Sequence, residues 1–140
     1  MEKVKWGYCA VTADIIHKGH IALFKQCAER CENLIVGVMT DEYIRKHKGR
    51  RPIMPFKDRC EIVSSIKYVH KVVPQHRFSF TNCTWLTAFK ALQGNEFIIF
   101  DNERHSREMA DVLIPYMKCV SSTLIRRRIY ENFNHSKRTS

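Results

Sequence analysis

The chain predicts an α/β fold in which an open parallel sheet of about five strands carries helices on both faces. Short apolar runs of strand length alternate with longer segments of helical spacing from one end of the chain to the other. Residues 34–39, Leu-Ile-Val-Gly-Val-Met, form an unbroken apolar run, which suits a strand buried on both faces of a parallel sheet. A third observation is the step His17-Lys18-Gly19-His20, placed where a first strand would hand over to a first helix.

Residues 5–11 have the composition of a strand. Residues 18–31 follow with helical spacing of Ile21, Phe24, Ala28 and Cys31. The strand at 34–39 leads into a basic loop that ends at Pro52 and Pro55. Residues 56–67 are helical in period through Cys60, Val63 and Ile66, and 68–73 form a third strand stopped by Pro74. A helix over 84–92 stops at Gly94, and a fourth strand spans 96–100. The segment 112–120 is ambiguous around Pro115, with a short fifth strand expected at 116–120. Ser121 or Ser122 then caps a closing helix that runs to Phe133. The alternation implies right-handed crossovers and a Rossmann-like topology, in which ligands bind at the carboxyl ends of the strands. Residues 1–133 make one domain, and 134–140 read as a frayed polar tail.

With 140 residues the chain can bury a proper core, and its 44% apolar and 27% charged residues are ordinary for a globular protein. The six cysteines form no CxxC pair and several lie in apolar runs, which argues for reduced thiols and against a disulfide framework. No signal peptide or membrane span is evident, and the expected compartment is the cytosol. Twenty-four Lys and Arg against fourteen Asp and Glu give a formal charge of +10, which favours an anionic partner. The cations cluster at 45–51 and 126–128.

A helix N-terminus presents unpaired N–H groups and partial positive charge, a natural seat for phosphate. Imidazoles at that point can donate to phosphate oxygens, and the intervening glycine lets backbone approach closely. Zinc is a poor fit to His17 and His20, which lack further ligands at suitable spacing. Neither a Ser-His-Asp nor a Cys-His arrangement suggests covalent catalysis.

The segment from Thr12 to His20, Thr-Ala-Asp-Ile-Ile-His-Lys-Gly-His, resembles the HxGH signature of the nucleotidyltransferase superfamily that includes the cytidylyltransferases. Met39-Thr40-Asp41-Glu42 is similar to that family's S-T-D-E turn. Lys48 and Arg59 resemble a lysine before, and an arginine early in, its second helix. Tyr68 to Pro74 resembles its Y-V-D-x-V-I-P strand, and Val120 to Arg126 its I-S-S/T-T-x-I-K/R motif. The Ala-Asp-Ile-Ile-His wording looks most like cytidylyltransferase domains of phosphonate metabolism. Two segments depart from the pattern. Phe100-Asp101-Asn102-Glu103 stands where relatives read G-D-D-W, and Tyr116-Met117-Lys118-Cys119 stands where they read R-T-x-G.

The resemblance implies transfer of CMP from CTP to a small phosphonate or phosphate monoester. The acceptor is already anionic, so positioning and charge neutralisation would suffice. His17 and His20 would bind triphosphate oxygens. Lys48, with Lys46 as a rival, would reach the α-phosphate or the acceptor, and Arg59 would hold the acceptor's anionic group. Nucleotide contacts are expected at Thr12, Ala13, Asp14, Gly19, Asp101, Ser121, Ser122, Thr123 and Arg126, with Asp14 chiefly ordering the histidine loop or touching a metal-bound water. Magnesium (Mg2+) would accompany the triphosphate with few protein ligands. A homodimer is implied, and neither a membrane nor nucleic acid is an expected partner. The alternatives are an adenylyltransferase acting on a phosphorylated cofactor precursor, suggested by the serine motif, and a non-catalytic nucleotide- or RNA-binding relative.

Overall fold

The computed structural model describes residues 2–103, 105, 107–115 and 122–139. The elements follow in the order β1 (Val4–Val11), α1 (Lys18–Ala28), β2 (Cys31–Met39), α2 (Asp41–Lys48), α3 (Phe56–Ser64), β3 (Lys71–Gln75), α4 (Thr84–Gln93), β4 (Phe97–Asn102), β5 (Val112–Ile114) and α5 (Ser122–Thr139). A single 3-10 turn, Gly94–Glu96, joins α4 to β4. The five strands form one sheet in the order β3-β2-β1-β4-β5, with all four neighbouring pairs parallel. The order reverses between β1 and β4, so the loop leaving β1 emerges at the crevice where such sheets bind ligands.

Alternation along the central strands sorts the core onto two faces. Cys9 and Val11 of β1 pack with Val36 and Val38 of β2, Phe24 and Cys27 of α1, and Val63 of α3. Tyr8, Ile35 and Ile99 pack on the other side with Phe80 and with Leu86 of α4. Burying each such large side chain contributes about 1.5–3 kcal/mol. Gly37 is required by this packing. A Cβ there would overlap Tyr8 Oη and lie 2.8 Å from Tyr8 Cζ, because the tyrosine crosses over β2 to donate its hydroxyl hydrogen to buried Gln75. The five described cysteines, 9, 27, 31, 60 and 83, carry free thiols. Among the described residues no helix is long and apolar enough to cross a membrane.

Several boundaries differ from the sequence expectation. The supposed basic loop is the helix α2, capped by Thr40 Oγ1 accepting from Tyr43 N at 3.2 Å and closed by Gly49 at φ 68°. α3 ends at Ser64, and the third strand covers 71–75, with Pro74 inside it opposite Val38. β3 is an edge strand, so its proline removes no ladder bond that the sheet needs. The fifth strand is Val112–Ile114, while the expected strand at 116–120 lies outside the described residues. α5 continues through the expected tail to Thr139.

Candidate functional site

A cavity of about 460 Å³ opens at the carboxyl ends of β1, β2 and β4. α1 supplies His17, Gly19, His20, Leu23 and Gln26 to its wall, and α5 supplies Thr123 and Arg126. His17 is the N-cap of α1. Its Nδ1 accepts from Gly19 N at 3.0 Å, while His20 Nδ1 accepts from His17 N at 3.2 Å. This reciprocal capping box fixes chemistry as well as helix geometry. Because both Nδ1 atoms accept, both rings are neutral and carry their proton on Nε2. The two rings stand 4.1 Å apart between centroids. Burial lowers the pKa of His17, and burial together with the neighbouring His17 pushes His20 down to about 4. The site therefore presents two neutral N–H donors beside a helix N-terminus whose first turn contains no acidic residue.

Asp14 is the hub of the loop after β1. Its carboxylate is almost fully buried and accepts from Ile53 N at 2.9 Å and Met54 N at 2.9 Å. Arg126 of α5 donates to the same group, and Arg50 lies 3.5 Å from it. Burial works to raise its pKa, but the amides of Met54 and Ile53 and the Arg126 guanidinium outweigh that and hold it below the usual carboxylate value. Ala13, just before it, is held at φ 58°, a left-handed conformation that costs a non-glycine residue strain. Lys48, at the C-terminal end of α2, donates to Thr12 Oγ1 at 3.3 Å and lines the cavity. Burial, then the charges of Arg50 and Arg126, lower its pKa.

Arg59 sits elsewhere than the sequence suggested. It is fully buried beneath the loop and outside the cavity wall. Nη1 donates to Thr12 O at 2.7 Å and Met39 O at 2.6 Å, Nε to Met54 O at 2.9 Å, and Nη2 to Asp41 at 2.6 Å. It clamps the ends of β1 and β2 to the 50–55 segment. Asp41 completes the clamp by accepting from Phe56 N at 3.3 Å, capping α3 from another element.

Asp101 is likewise behind the cavity. It accepts from Arg107 N at 2.8 Å and from its neighbour Asn102 N at 2.8 Å, and it pairs with Arg107 Nε at 3.3 Å. Asn102, His105 and Arg107 take the place in the wall that sequence reasoning gave to Asp101. Ser121 lies outside the described residues, and Ser122 is the first residue of α5. Thus His17, Gly19, His20, Thr12, Asp14, Lys48, Thr123 and Arg126 converge on one cavity, whereas Arg59, Asp101 and Ala13 support it from behind. Arg50 and Arg107 were missed. Arg50 was visible only as one member of a charge cluster, and Arg107 belongs to no motif.

Among the described residues no group of three or more His, Cys, Asp or Glu could hold a metal ion. Among the described residues Asp14 is the one carboxylate in the cavity wall, and its oxygens are engaged by amides and arginines. These residues fit a cation carried in on phosphate oxygens better than one caged by protein.

The solved structure of a lipopolysaccharide core biosynthesis protein from Thermoplasma volcanium shares the fold. It superposes with a TM-score of 0.62 at 20% identity, covering 82% of this chain and 99% of that one. The FAD synthase of Pyrococcus horikoshii is 48% identical over 60 residues, which is 43% of this chain and 40% of that protein. The ethanolamine-phosphate cytidylyltransferase of Mus musculus is 31% identical over 119 residues, covering 80% of this chain and 28% of the relative. The chain therefore spans well under half the length of these two relatives. Its residues 8–128 match the model of one family over most of the chain, and the protein belongs to that cytidylyltransferase-like family of the HxGH nucleotidyltransferase superfamily.

Proposed function

We propose that this chain transfers a nucleotidyl group, CMP from CTP, to a small phosphonate or phosphate monoester. An acceptor oxygen attacks the α-phosphorus in line, one P–O bond forms, the bond to the β-phosphate oxygen breaks, and pyrophosphate leaves. The observation that supports this best is the capped histidine pair. Two Nε2–H donors face a cavity that also holds Lys48, Arg50 and Arg126, and the α1 N-terminus adds its partial positive charge. Such fixed donors stabilise charge that develops on phosphate oxygens without reorganising. The acceptor needs no general base, so neutral histidines suit the role. Thr123 and the α5 N-terminus lie on the leaving-group side, again with no acidic residue in the first helical turn. Magnesium arriving on the triphosphate would supply further charge neutralisation. The Asp14 carboxylate orients Arg126 and Arg50 there and is no base.

Adenylyl transfer is the second reading, favoured by the local identity to proteins named FAD synthase, whose product carries an adenylyl group on a phosphate. A pyrophosphate-release screen separates the two. CTP and ATP are each offered with 2-hydroxyethylphosphonate, phosphoethanolamine, glycerol-3-phosphate and flavin mononucleotide. Release with CTP supports the first reading, and release with ATP the second. A His17→Ala variant that keeps full activity, or no release with any pair, would sink both.

A further inference from the structure

We propose that Arg107 anchors a second anionic group on the acceptor, so that this chain selects phosphonate or phosphate acceptors bearing a carboxylate or another anion over those bearing an amine. The inference rests on the nucleotidyl-transfer reading and names the acceptor class for that same cavity.

The cavity has two cationic poles. Lys48, Arg50 and Arg126 surround Asp14 beside the histidines and the α1 N-terminus, where a triphosphate would lie. Arg107 stands apart from them on the other face of the sheet. Its guanidinium lies 4.4 Å from the Phe78 ring centroid and 4.5 Å from that of Phe80, and Phe80 packs in the α4-side core. Held between two rings, the planar group has a fixed orientation at little entropic cost. Behind Phe78 the rings continue away from this cavity, His47 on Phe78 at 5.4 Å and Tyr43 on His47 at 5.2 Å, and Tyr43 and His47 line a separate pocket.

What this wall offers a ligand is mainly donors. Arg107 Nη2 donates to His105 Nδ1 at 3.2 Å, and Nη1 makes one long contact to Phe78 O at 3.4 Å. A guanidinium carries five N–H groups, so donors remain for a ligand. The carboxylate that balances Arg107 is Asp101, which also accepts from two backbone amides and lies outside the cavity wall. That pairing explains how a buried arginine stays ordered before any ligand arrives. A charge-assisted hydrogen bond from such a group contributes about 1.5–3 kcal/mol, so the selectivity should be tenfold or more.

The test is direct binding, by calorimetry, to the full chain saturated with a methylene-bridged nucleotide analogue. Phosphonoacetate, 2-hydroxyethylphosphonate and 2-aminoethylphosphonate are the probes. Phosphonoacetate should bind about tenfold more tightly than 2-aminoethylphosphonate, and Arg107→Gln should erase the ranking. Because that variant leaves Asp101 without its partner, the pair Asp101→Asn with Arg107→Gln removes both charges and should erase it equally. Tightest binding of the amine, no binding of any probe, or an unchanged ranking in both variants would overturn the proposal. So would a loss of nucleotide affinity as large as the loss of acceptor affinity, which would assign Arg107 to the nucleotide. Binding is read without turnover, so failure of the nucleotidyl-transfer reading would be seen separately, in the pyrophosphate screen.

Discussion

Replacing Arg59 by methionine distinguishes a clamp from an anion-binding residue. Methionine keeps most of the apolar volume but donates nothing. Three carbonyls, of Thr12, Met39 and Met54, lose their guanidinium partner at a buried junction, and Asp41 loses its ion pair. Each buried acceptor left unmet costs about 1–3 kcal/mol. Relaxation of the 50–55 segment recovers part of that, and Asp41 is half exposed, so its share is small. The expected loss is therefore about 3–5 kcal/mol, the scale of breaking a buried charged contact. With a urea slope near 2 kcal/mol per molar, the unfolding midpoint should fall by roughly 2 M. The fluorescence of Trp6 and Trp85 reports the transition. A midpoint within about 0.3 M of the parent, together with a tenfold rise in KM for the acceptor alone, would refute the clamp and restore the anion-binding role.

Gly37→Ala should destabilise the fold by about 2 kcal/mol, lowering Tm by several degrees, and Tyr8→Phe should restore part of it by removing the overlapping hydroxyl; no rescue would place the strain elsewhere. Folding stability should fall by about 3 kcal/mol as pH drops from 6.5 towards 4, because His20 titrates near 4 when folded and the unfolded chain takes up its proton first. Stability is complete above that window, and urea midpoints for His20→Gln should lose most of the slope, with His17 supplying the rest. Lys48→Ala should lower kcat/KM about a hundredfold while leaving Tm within a few degrees, since among the described residues its one hydrogen bond is a long one to the Thr12 hydroxyl in the cavity wall. Pyrophosphate at a hundredfold above its Kd should add about 2.7 kcal/mol of stability, seen as a raised Tm, and Arg126→Gln should shrink that gain.

The central sheet was legible because β1, β2 and β4 are buried on both faces and so carry little polar interruption. α2 was hidden because Ile44 is its only fully buried side chain, while four basic residues crowd its last turn. Its signals were local ones, Thr40 as cap and Gly49 as left-handed stop. Pro74 has the look of a strand stop, yet an edge strand tolerates it. The histidine pair was legible as the cap of α1 at the cavity wall, since helix capping is a short-range property. Arg59 and Asp101 were not, because burial is decided by packing between elements far apart in sequence. Arg107 contacts residues almost thirty positions away, and no spacing rule reaches that far.

Asp14 shows how an acidic residue fits the cavity for which we propose an anionic ligand. Without it, Lys48, Arg50 and Arg126 would face one another across a partly buried space, and like charges a few ångströms apart repel by several kcal/mol at an effective dielectric near 20. One carboxylate, fixed by two backbone amides, holds two of the three in place. It also ties α5, the 50–54 segment and the strained Ala13 turn to a single point. A triphosphate brings several negative charges and can take over those arginines without displacing Asp14 from its amides. The cavity can thus be preorganised when empty and still gain electrostatic energy on binding. A neutral residue would leave the cations dispersed, and a second carboxylate would compete with the ligand.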